Sequence, residues 1–83
     1  MAKVELYDKG GNLISSFSVG EEFCEEARNM TDQQLLFEVA NMVALAVRRE
    51  TELELTVNMV LNELGRVVVC GRDIELNGGT PAD

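Results

Sequence analysis

Residues 35–47 constrain this chain more than any other stretch. Of these thirteen residues only Glu38 and Asn41 are polar. An amphipathic surface helix needs a single apolar stripe, whereas a helix apolar on most sides must be covered on several of them. A chain of 83 residues has little other material for that purpose. The sequence therefore places this helix at the centre of the fold. It predicts that a second subunit completes the cover, with Leu36, Val39, Asn41, Val43 and Val47 at the interface. Asn41 is the candidate to set register there, as one buried polar residue does between paired helices.

The rest of the chain reads outward from that helix. Val4-Glu5-Leu6-Tyr7 alternates apolar and polar residues, and 13–19 is a second strand-like run. A glycine-containing polar loop separates them, so the pair reads as a β-hairpin. Ser18 and Glu21 have capping-box spacing, which predicts a short helix over about 19–28 with Phe23 and Ala27 facing inward. Thr31 and Gln34 form a second box opening the apolar helix, over about 32–49. Arg48 and Arg49 sit in its last turn, where cations suit the helix dipole. Thr51 and Glu54 form a third box.

The segment after Thr51 fits both strand and helix periods. The cap at Thr51 and Gly65 as a C′ residue select helix, with a hinge only at 50–51. Val67-Val68-Val69-Cys70 is a β-branched strand. Gly71-Arg72-Asp73 reads as a turn or bulge and 74–76 as a continuation. The expected fold is α+β, in the order ββαααβ. A small antiparallel sheet, made of the N-terminal hairpin and the C-terminal strand, packs against three helices. The domain spans 1–76, and 77–83 is expected to be a flexible tail. The opening hairpin and helix, with Gly78-Gly79 near the end, resemble a ubiquitin-like chain. The consecutive helices in the middle depart from that pattern, and no family is assigned.

Chemistry is sparse. The chain has no histidine and two cysteines, Cys24 and Cys70, far apart in sequence. Nucleophilic cysteines ordinarily need a histidine or cation beside them. The expectation is two free, core-type thiols, and with no secretory pattern at the N-terminus a cytoplasmic location. A thiol-reactive role for Cys24, with Arg28 four residues on, is the weakest functional reading. No phosphate loop, nucleophile elbow, dinucleotide fingerprint or calcium-loop spacing is present. No catalytic residue, metal site or cofactor is expected.

The formal charge is -8, from seven basic and fifteen acidic residues. Such a surface repels phosphate backbones, and Arg48, Arg49, Arg66 and Arg72 make only a thin basic set. Direct nucleic-acid binding and membrane insertion are not expected. A larger protein with a basic surface is the expected partner. Glu21, Glu22, Glu25 and Glu26 are the candidate contact residues. The function expected is a non-enzymatic interaction module, an adaptor or an inhibitor of the small acidic phage type. It would cover a basic or nucleic-acid-binding site on its partner. The alternative is a small-molecule-binding domain or small enzyme subunit, with a pocket lined by Met42, Met59 and Phe37.

Overall fold

The computed structural model describes residues 2–51 and 56–76. Strands β1 (Ala2–Asp8) and β2 (Leu13–Val19) lead into helices α1 (Glu21–Ala27), α2 (Asp32–Thr51) and α3 (Val57–Glu63). Strands β3 (Leu64–Val69) and β4 (Arg72–Glu75) follow. The four strands form one antiparallel sheet in the order β2-β1-β3-β4. The fold is α+β, as the patterning predicts, with one strand more than expected. The expected tail at 77–83 lies outside the described residues.

Alternation decides which face of the sheet is covered. Val4 and Leu6 of β1, Val67 and Val69 of β3, and Ile74 of β4 are buried. They share one face because successive strand side chains point to opposite sides. Leu35, Val39, Ala40 and Ala44 of α2 are buried in the same core. Their spacing is that of a single helical stripe. The helix is thus less completely covered than its composition suggests. Phe37 and Leu45 remain about half exposed.

The β1–β2 turn is organised by one carboxylate. Asp8 Oδ1 accepts hydrogen bonds from the backbone N–H of Gly10 (2.9 Å) and of Asn12 (2.8 Å). The Asn12 side chain donates to Oδ2 at 3.3 Å. These donors, led by the Asn12 backbone, hold the Asp8 carboxyl below its ordinary value of 3.8. A depressed carboxyl stabilises the fold above its unfolded pKa and loses that contribution as pH falls through the folded one. Asp8→Asn is therefore expected to lower stability at neutral pH. Chemical denaturation should show the two proteins converging as pH drops below 3.8.

Two of the three predicted capping boxes are replaced. Ser18 does not cap α1, because β2 continues through Val19, with Ser18 opposite Lys3 and Val19 opposite Ala2. Backbone pairing along two more residues outweighs one side-chain cap. Gly20 is the N-cap and makes no side-chain bond. The middle box forms as read: Thr31 Oγ1 accepts from Gln34 N (3.1 Å), and Gln34 Oε1 accepts from Thr31 N (2.9 Å). Thr51 is the last residue of α2, not a cap. The cap of α3 is Thr56, whose Oγ1 accepts from Met59 N at 3.2 Å. Residues 52–55, including Glu54 of the third box, lie outside the described residues.

Gly65 is not a helix terminator. α3 passes directly into β3, and Gly65 is the extra residue of a bulge, since Tyr7 pairs with Arg66 but Asp8 with Leu64. β3 then turns at Cys70 (φ 52) and Gly71 (φ 84) into β4. Positive φ at both central residues is the two-residue turn that suits strand twist.

The free-thiol expectation is corrected. Cys24 and Cys70 form a disulfide, with Cα atoms 5.9 Å apart. The spacing of 46 residues concealed it because only the fold brings α1 beneath the β3–β4 turn. Neither cysteine retains a thiol, so the thiol-reactive reading of Cys24 falls. The cytoplasmic expectation loses the free thiols it rested on. Arg72 ties the same corner, donating to Ala27 O at 2.9 Å and to Asp32 Oδ1 at 2.6 Å. It thereby satisfies a carbonyl at the C-terminal end of α1.

Candidate functional site: an apolar cleft beside an edge strand

Among the described residues, two surface clefts stand out. The first, of about 500 Å³, lies along the disulfide, with Lys3, Glu5, Glu21, Arg28 and Arg72 around it. Several of its charges have partners: Lys3 Nζ lies 3.6 Å from Glu5 Oε2, and Arg72 is held by Asp32 and Ala27. Exposed pairs of this kind contribute little and are screened by salt. This cleft is mixed in charge, with no concentration of one sign.

The second cleft, of about 710 Å³, lies where β1, β2 and the start of β3 meet α2 and α3. Its lining is almost wholly apolar. β2 contributes Ile14 and Phe17, α2 contributes Met42, Val43 and Val47, and α3 contributes Met59 and Val60. Ser15 and Glu63 are the polar members. Ile14 reaches this region because β2 bulges there: Leu6 pairs with Ser15 and Tyr7 with Leu13, leaving Ile14 as the extra residue. Ile14 is 52% exposed and Met59 48%.

These exposures matter together. Scattered apolar residues are normal on a protein surface, but a contiguous apolar concavity marks a place where something binds. Methionine suits such a place, because its unbranched thioether chain adapts to different shapes. The volume also lies within the usual range of ligand sites, about 300–1,000 Å³.

The sequence-predicted residues fall in several places. Met42 and Met59 line the cleft as expected, while Phe37 is 54% exposed and is not among its lining residues. Glu21, Glu22, Glu25 and Glu26 are all exposed on α1, and none lines the apolar cleft. Of the five helix positions assigned to a dimer interface, Val39 is fully buried in the chain's own core. Asn41 is exposed, and Leu36, Val43 and Val47 are half-buried. Val43 and Val47 line the cleft. The four arginines do not form one patch. Arg66 lies 4.3 Å over the Tyr7 ring with Asp73 beside it, whereas Arg72 is tied to α1 and α2.

Ile14, Phe17 and Val60 were missed as site residues. The strand-like run at 13–19 placed Ile14 and Phe17 only in a strand, and the pattern after Thr51 placed Val60 only in a helix, because the bulge and the placement of α3 belong to the fold. Among the described residues no group of three acidic or cysteine side chains is placed to hold a metal ion, and no helix is long and apolar enough to cross a membrane. Comparison with protein-family models, curated proteins and solved structures finds no match for the chain.

Proposed function

We propose that this protein is a non-enzymatic interaction module, an adaptor or inhibitor, that receives an apolar segment of a basic partner protein in the cleft between β2, α2 and α3. The observation that carries the reading is the contiguous apolar lining with half-exposed Ile14 and Met59 at the site. The charge of -8 adds direction, because opposite fields accelerate encounter and disfavour acidic competitors. In this reading the glutamates of α1 steer and the cleft seats.

The two roles separate experimentally. A partner would first be captured from nuclease-treated source-cell lysate at two salt concentrations, then purified and titrated. Met59→Glu puts a charge at the apolar seat and is expected to weaken affinity by tenfold or more, about 1.4 kcal/mol, with an unchanged melting profile. Reversing Glu21, Glu22, Glu25 and Glu26 to lysine is expected to slow association more than it speeds dissociation. Full affinity in Met59→Glu would remove the cleft from the mechanism.

A second reading uses the same cleft for a small apolar molecule, as its volume permits. A thermal-shift screen distinguishes it, because a ligand raises the melting temperature of the state it binds. Homodimerisation along α2 is a separate reading, in which apolar contact must outweigh the repulsion between two chains of charge -8. Phe37, Asn41 and Leu45 are four residues apart and all exposed, which makes one open stripe. Sedimentation across a dilution series tests it, and a monomer at every concentration rejects it.

A further inference from the structure

The two edges of the sheet are built differently. β4 is short and carries Arg72, Asp73 and Glu75, the charged, brief form in which edge strands resist pairing. β2, the opposite edge among the described residues, has seven residues, Leu-Ile-Ser-Ser-Phe-Ser-Val, with no charge and no proline. Its bulge at Ile14 leaves 15–19 in regular register with β1. An edge strand presents every second backbone N–H and C=O outward, ready to pair with an added strand. Phe17 of this strand also lines the apolar cleft, so the open ladder and the apolar seat adjoin.

We infer that β2 receives an extended segment of the partner as a fifth strand, and that this segment alternates apolar and basic residues. This rests on the proposed function and names its binding mode. Alternation follows from the pleat. One side of the added strand faces the cleft, and the other continues the open face, where Ser16 and Ser18 of β2 lie beside Glu5 and Lys3 of β1. Basic character follows from charge: Glu21 and Glu22 come directly after β2, and the chain carries -8. The same charge disfavours a second copy of this chain as occupant, because two copies repel.

The test uses a fluorescein-labelled synthetic peptide of alternating valine and arginine, with binding followed by anisotropy and by backbone hydrogen exchange. The peptide is expected to bind and to slow exchange at those β2 amides that do not bond to β1. Ser16→Lys with Ser18→Lys places charges along the edge and is expected to weaken binding about tenfold or more. Asp73→Asn with Glu75→Gln makes the same change in net charge at the other edge and should leave binding within about twofold. Equal weakening by both pairs would mean charge attraction alone and overturn the inference. So would absence of binding, or slow exchange of those outward β2 amides before peptide is added, which would mean the edge is already paired. The two readings fail separately. Weakening by Met59→Glu but not by the serine pair leaves the cleft and removes the strand. The reverse pattern keeps strand addition and removes the cleft.

Discussion

Replacing both cysteines with alanine is expected to lower the unfolding free energy by about 4 kcal/mol. The estimate follows from loop closure. A link between residues 46 apart restricts the unfolded chain by roughly 14 cal/mol/K, which is about 4 kcal/mol at room temperature. Domains of this size hold on the order of 5–10 kcal/mol in total, so much of the stability resides in one bond. The melting temperature should fall on the order of 20 °C. Paired denaturation of oxidised and reduced protein measures it. A difference below about 1 kcal/mol would show that the unfolded chain is restricted little by the bond.

The local effect is separable from the global one. Cys70 holds a φ of 52, which costs a residue with a Cβ roughly 1 kcal/mol and costs glycine nothing. Cys24→Ala with Cys70→Gly should therefore be more stable than Cys24→Ala with Cys70→Ala by about that amount. Identical stabilities would mean that the turn relaxes once the bond is gone. Helix α1 should respond first, since Ala27 is the one residue of α1 that is buried and Arg72 ties α1 to β4 through the Ala27 carbonyl. Faster amide exchange in α1 than in β1 of the reduced protein would record this.

Gly65→Ala is expected to destabilise the fold by on the order of 3 kcal/mol, through overpacking. A Cβ at this position would lie 2.6 Å from Asp8 O and 2.8 Å from Lys9 Cα. Both are backbone atoms, so no rotamer change relieves the contact. The strands must separate where β1 and β3 pair, and the Asp8 turn would move with them. Chemical denaturation should show an earlier midpoint, and loss of the Asp8 contribution should make Gly65→Ala less sensitive to acid than the parent chain. An unaltered midpoint would mean that the bulge shifts at no cost.

Much of the architecture was legible because period and punctuation are local. Alternation in 4–7 located β1, and the β-branched run at 67–69 located β3. The Thr31–Gln34 pair gave the start of α2. The site was less legible. Met42 and Met59 entered only through the alternative reading, which grouped them with Phe37 in one pocket and gave no means of separating them. Its place on the exposed side of α2 follows from how the helix is rotated against the sheet.

What the sequence determined by itself, then, is the α+β class and the order of its elements up to β3, which depend on neighbours along the chain, and the acidic charge, which depends on composition alone. The tertiary structure decided the rest. It joined Cys24 to Cys70, made Gly65 a bulge rather than a cap, and left β2 as an uncharged edge beside an apolar cleft. These features depend on contacts between residues distant in sequence. Backbone pairing and packing overrule a local cap signal because they satisfy more hydrogen bonds and bury more apolar surface than one side chain can.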